Sequence, residues 1–209
     1  ELRSKLITAK DAAQFNGRYD ALLQIARYGE ERGHFDIAED AYRLAIKAAK
    51  RASASPRIER DAFTGLIKAC LANRSTESLI QASQEAVTRW PDDTNFVETY
   101  LYVSLLAGKN IELALRNAVN LLKIQPADNQ RKLTVALARW RLRDTQQAVQ
   151  NLQYIDLNPL TEGQRAVFAA IANSGGFHDE ALGVIKAINP KASMLPEEQR
   201  CFESVLVKK

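Results

Sequence analysis

Five of the six prolines in this chain stand at nearly even spacing: Pro56, Pro91, Pro126, Pro159 and Pro190 are separated by 35, 35, 33 and 31 residues. Proline is tolerated in the first turn of a helix or just past the end of one, so a ladder of prolines marks a recurring break between helices. Such a period constrains the fold more than composition does. Repeats of this length stack so that each unit buries its apolar face against the next. A second mark recurs at Ala38, Leu79, Ala114, Ala148 and Ala181, spaced 41, 35, 34 and 33 residues apart. Each lies a few residues after a turn, where a small side chain lets two helices approach closely. The turns carry Gly33-His34-Phe35, Asn73-Arg74-Ser75, Gly108-Lys109-Asn110, Arg143-Asp144-Thr145 and Gly175-Gly176-Phe177. Gly and Asn there suit the left-handed residue that ends a helix.

This punctuation predicts helices over 18–32 and 35–51, 57–72 and 75–89, 94–107 and 111–123, 129–142 and 145–155, 162–174 and 178–188. Thr161 followed by Gln164 is a capping-box pattern that fixes one start independently. Helices over 2–15 and 196–207 flank the array. The last opens with Pro196-Glu197-Glu198 and sets Phe202, Val205 and Leu206 on one face, with Glu198, Glu203 and Lys208 elsewhere, as a capping helix needs. No run of alternating β-branched residues signals a strand, and 46% hydrophobic residues suffice for a core. The class is all-α.

With these residues in hand, the chain resembles the tetratricopeptide family in its degenerate, bacterial-type form, over about residues 18 to 190. The first unit matches in Leu22, Ile25, Ala26, Gly33, Phe35, Ala38, Tyr42 and Ala45. The second matches in Phe63, Leu66, Ile67, Cys70, Ala86 and Pro91, with Leu79 in place of the small residue. Ala114, Leu121 and Pro126 carry the third, Ala136 with Ala148 the fourth, and Ala169 with Ala181 the fifth. Glu98, Lys132, Arg139 and Arg165 depart from apolar family positions. The resemblance implies a right-handed α-solenoid of about five helix pairs with terminal capping helices. It is expected as a single domain over 1–209: an N-terminal helix at 1–17, repeats at 18–190 and a cap at 191–209.

Sites of chemistry are scarce. His34 and His178, the only histidines, fall in equivalent turns almost the whole array apart, and no phosphate-binding glycine loop is present. Cys70 and Cys201 lie 131 residues apart inside apolar helical patterns and read as small buried hydrophobes. No catalytic residue, metal ligand or cofactor is expected. No stretch of about 18 apolar residues spans a membrane. The sequence starts at Glu1 without a signal-like segment, so an anchor or address is expected to have been trimmed away, leaving the compartment open between cytoplasm and envelope.

Binding surfaces remain. In the family the first helices of successive units line a concave groove, which here implies Phe96, Thr99, Val103 and Leu106, then Leu133, Leu137 and Trp140. These residues either form an apolar patch for a partner segment or, one position out of phase, pack between repeats. Charge offers a second surface. Residues 41–74 carry Arg43, Lys47, Lys50, Arg51, Arg57, Arg60, Lys68 and Arg74 against Glu59 and Asp61, a local excess of +6 in a chain of net +4. This is either a solvated face or a patch for an acidic segment, a nucleic acid or an anionic membrane. The carboxylate clamp of some family members is absent, because its positions hold Leu23, Arg27, Leu133 and Ala166. The leading expectation is a scaffold or adaptor binding a protein segment. A helical-repeat RNA binder and a helical regulatory domain of a larger enzyme are the alternatives, although no recurring polar pair reads one base per repeat.

Overall fold

The computed structural model describes residues 1–189 and 191–207. Among the described residues all regular structure is helical: α1 Leu2–Phe15, α2 Tyr19–Glu31, α3 Phe35–Arg51, α4 Pro56–Ala72, α5 Thr76–Arg89, α6 Thr94–Leu106, α7 Ile111–Ile124, α8 Asn129–Arg141, α9 Thr145–Leu152, α10 Glu162–Ser174, α11 His178–Ala187 and α12 Pro196–Leu206. The spans expected from sequence hold to within a few residues. The expected Pro190 break and the face position of Lys208 lie outside the described residues. Pro56 opens α4, Pro91 and Pro126 follow α5 and α7, and Pro159 stands between α9 and α10.

One closure recurs between the helices of each pair. Gly33, Arg74, Gly108, Arg143 and Gly176 all have positive φ, between 58° and 94°. The N–H of the next residue donates back to a carbonyl five residues earlier: His34 to Gly29, Ser75 to Cys70, Lys109 to Ser104, Asp144 to Arg139 and Phe177 to Ala172, at 2.8–3.0 Å. This is the Schellman motif, which satisfies carbonyls that a helix end would otherwise orphan. Three of the five positions use glycine, which has no Cβ penalty there. Asp93, Asp128 and Asp144 cap α6, α8 and α9 by accepting from Asn95, Arg131 and Gln147 N–H groups. The Thr161–Gln164 capping box forms in both directions, at 3.0 and 3.2 Å.

The chain divides into two compact units, Glu1–Pro91 and Asp92–Lys209. In unit 1, α2 packs on α3, α3 on α4 and α4 on α5, with α1 against α2 and α3. Its core includes Leu22, Ala26, Ala38, Tyr42, Ala45, Phe63, Leu66, Cys70 and Leu79, and Phe63 meets Trp90 edge-on at 5.5 Å. In unit 2, α8 is surrounded by α6, α7, α9 and α10, while α10 also carries α12. Ala38, Ala114, Ala148 and Ala181, and Leu79 at the same place in the second unit, are 0–3% exposed, so the recurring position is buried in every unit.

The charged departures from apolar positions find partners within unit 2, although the buried Arg139 Nε has none. Glu98 pairs with Arg131 Nε at 2.7 Å, and Arg131, 7% exposed, also donates to the Leu121 carbonyl. Arg165 donates to the Leu157 and Asn158 carbonyls, Arg139 pairs with Asp144, and Lys132 reaches the Tyr154 carbonyl. Buried polar groups satisfied in this way cost far less than bare ones.

Replacing Ala148 with Leu is expected to overpack the α8–α9 crossing and lower stability by about 1–3 kcal/mol in thermal unfolding. A surface-like response there would be incompatible with a close helix crossing.

Candidate functional site

The residues expected to line a groove do not form an open patch. Phe96, Val103, Leu106, Leu133 and Leu137 are 0–4% exposed, and only Thr99 and Trp140 are half-buried. The burial pattern gives the reason. Residues 103–106 of α6 and 133–138 of α8 are buried without interruption, because a helix with neighbours on several sides keeps no apolar stripe free. These five are packing residues, a correction to the groove reading.

Against α10 the chain places its own last helix. α12 lies chiefly along α10, with a smaller contact to α11, and so departs from the stacking of the earlier pairs. Its buried positions are Glu198, Cys201 and Val205, spaced as one helical stripe. Of the expected apolar face Val205 is buried and Phe202 half-buried, but Leu206 is exposed and Glu198, expected on the water side, is buried in its place. Met194 and Leu195, just before the helix, are 2% exposed and anchor its entry.

Glu198 is the pin of this arrangement. It is 6% exposed, one carboxylate oxygen accepts from the Leu195 N–H at 2.9 Å, and the other accepts from the Tyr102 hydroxyl of α6 at 2.8 Å, 96 residues away in sequence. Gly163 on α10 makes room, since a Cβ there would run into the Glu198 carboxylate. Burial pushes the Glu198 carboxyl above the usual range, against the lowering effect of the Leu195 and Tyr102 hydrogen bonds, and Glu197 adds to the rise. Burial likewise raises Tyr102, and it lifts the Cys201 thiol to about 11. Nearby, Arg141 of α8 donates to the Leu105 and Leu106 carbonyls at the end of α6, and its guanidinium lies 5.5 Å from the Trp140 ring centroid. Cations suit a helix C-terminus.

The expected basic cluster divides within unit 1. Arg43, Lys47 and Lys50 line one side of α3, beside an open groove of about 740 Å³ that also involves Lys10 and Gln14 of α1, Leu66 of α4 and Ser78, Gln81 and Glu85 of α5. Arg51, Arg57 and Arg60 are exposed around the α3–α4 turn, whereas Lys68 and Arg74 stand toward the other end of α4. Arg43 is partly committed, pairing with Glu39 at 3.3 Å. Burial of Glu39 opposes ionisation, but hydrogen bonds from Asn73, Ser78 and Arg43 outweigh it and hold the carboxyl below its usual range. Lys10, Gln81 and Glu85 on this groove, and Tyr102, Gly163 and Glu198 in unit 2, carry no recognisable pattern in the linear sequence.

Among the described residues, no group of three or more His, Cys, Asp and Glu side chains is placed to hold a metal ion, and no helix is long and apolar enough to cross a membrane. His178 Nδ1 is 2.6 Å from Asn173 Oδ1 in its turn.

No protein-family profile matches the chain, and no curated protein matches it. Among solved structures it is similar to a thermophilic TPR protein of Thermus thermophilus, at a TM-score of 0.57 and 17% identity, over 91% of this chain and 100% of that one. At that identity the likeness concerns the fold: the chain has the all-helical architecture of a TPR-like α-solenoid.

Gly163→Ala is expected to push the Glu198 carboxylate off its seat, costing about 1–3 kcal/mol in thermal unfolding and raising hydrogen exchange first in α12. Unchanged exchange in α12 would contradict the close fit. Glu198 also gives a pH signature. A carboxyl whose folded pKa lies above its unfolded value contributes stability that is complete below the unfolded value and lost as pH rises through the folded one. The stability of the native chain relative to Glu198→Gln is therefore expected to fall as pH rises from about 4 towards neutrality. Taking the difference removes the opposite trend of Asp20, Asp36 and Glu39, whose pKa values are lowered. Parallel pH profiles for the two proteins would exclude this role.

Proposed function

We propose that the chain is a tetratricopeptide-type interaction module that holds a segment of a partner protein, with no catalytic role of its own. The open groove beside α3 in unit 1 carries this reading, since it presents exposed charge beside the half-buried Leu44 on a helical frame. The TPR-like architecture supports a repeat scaffold in general. The seat of α12 on α10 is further support, because it is an example in this chain of a helical face receiving an amphipathic helix. The thiols of Cys70 and Cys201 are buried and pushed up to about 12 and 11, a poor setting for a nucleophile.

Parallel selections on the full chain, one from a random peptide library and one from a random RNA pool, test the reading. Peptides with a shared pattern are expected to enrich. RNA is expected to bind only non-specifically, at about 10⁻⁴ to 10⁻⁶ M in physiological salt. A tight, sequence-selective RNA with no enriched peptide would instead establish a nucleic-acid binder.

A further inference from the structure

The unit 1 groove has a charge imbalance that its own side chains leave uncompensated. Arg43, Lys47 and Lys50 stand at i, i+4 and i+7 on α3, one row about 10 Å long at 1.5 Å per residue. Arg43 is paired with Glu39, and Lys10 across the groove is paired with Asp40 at 3.3 Å. Lys47 and Lys50 have no carboxylate partner among the described residues, and both are exposed. Lys50 is held over the Phe63 ring at 5.6 Å, which fixes its ammonium near the groove rim. The remaining acid of the lining, Glu85, is hydrogen-bonded by Gln81. Arg51 and Arg57, exposed around the adjoining turn, extend the positive field beyond Lys50. Of the apolar residues along the groove, Leu44 is half-buried, while Ile46 and Leu66 are buried in the core.

We propose that this groove receives an acidic segment of a partner protein, its carboxylates on Lys47 and Lys50 and an apolar side chain against the half-buried Leu44. The inference rests on the interaction-module reading and adds the chemistry of the partner. Two cations one helical turn apart match carboxylates one turn apart on a facing helix. Phosphates are also anions, but a nucleic acid is better served by an extended basic track. Here the cations alternate with Asp40 and Glu85, which oppose a polyanion more than a segment of mixed character. Exposed ion pairs are individually weak, so the charges steer and select the segment more than they hold it.

The test is fluorescence anisotropy on the full chain with two synthetic amphipathic peptides of equal length, one bearing glutamates opposite a leucine stripe and the other lysines in their place. A labelled single-stranded RNA and vesicles containing phosphatidylserine serve as competing anions. The glutamate peptide is expected to bind at least about tenfold more tightly than the lysine peptide, and to weaken as salt screens the rim. Lys47→Glu combined with Lys50→Glu is expected to abolish that preference, while Lys186→Glu on exposed α11 leaves it intact. Circular dichroism confirms that the charge-reversed chain is folded. Equal binding of the two peptides overturns the proposal, as does RNA or vesicle binding that depends on Lys47 and Lys50 while the glutamate peptide fails. If the peptide library yields binders without acidic character, the interaction reading stands and only the acidic partner falls.

Discussion

Two helices can cross at close range only where the side chain between them is small, and Ala38, Ala114, Ala148 and Ala181 supply that condition at the crossings. Interaxial distances of about 8–10 Å depend on the residues at the contact. Once the crossings are set, the flanking Leu, Ile and Phe side chains have defined partners, and each pair presents its next helix with a matching surface. The turns inherit their geometry from this: the Schellman closures at Gly33, Gly108 and Gly176 reverse the chain while satisfying its carbonyls. Arg74 and Arg143 hold the same left-handed conformation, which costs a side chain about 1–2 kcal/mol. Packing imposes the turn even where local preference opposes it.

Polar groups fix how the apolar layers of unit 2 line up. Arg131 ties α8 to Glu98 of α6 and to the end of α7, and Arg141 ties α8 to the end of α6. Apolar contacts are non-directional, whereas a guanidinium accepts only a narrow set of oxygen positions. A buried ion pair is weak evidence for stability, and its clearer role is to penalise every other register. The charges that depart from apolar repeat positions thus specify neighbours that alanine and leucine alone leave ambiguous.

Helix ends and crossings are legible in the sequence because they depend on local chemistry. Pro56 opens α4, Thr161 and Gln164 close a capping box, and α3 spans the stretch read for it, Phe35–Arg51. Surfaces are less legible, because the period of one helix does not reveal how many neighbours surround it. Leu133 and Leu137 have the spacing of a groove face, yet the unbroken burial of 133–138 shows a helix enclosed on several sides. The pattern of α12 sets Glu198 on the water-facing side, because acids usually are solvated. Its burial depends on Tyr102 and Gly163, neither adjacent in sequence. The basic cluster is visible in the linear chain, but only the fold distinguishes the cations beside the groove from Lys68 and Arg74 farther along α4.

In an ordinary stack each helix pair touches only its neighbours, so pairs fray from the ends and stability is close to a sum of local terms. The hydrogen bond from Tyr102 to Glu198 breaks that rule within unit 2, joining α6 to a helix made only after α7 to α11 have been laid down. Closing so long a loop takes configurational entropy that neighbouring contacts never require, which delays the contact during folding. After it forms, α12 cannot peel away without also releasing a side chain of α6. The consequence is cooperativity: a one-dimensional array acquires a contact that makes the first and last helices of this unit share a transition.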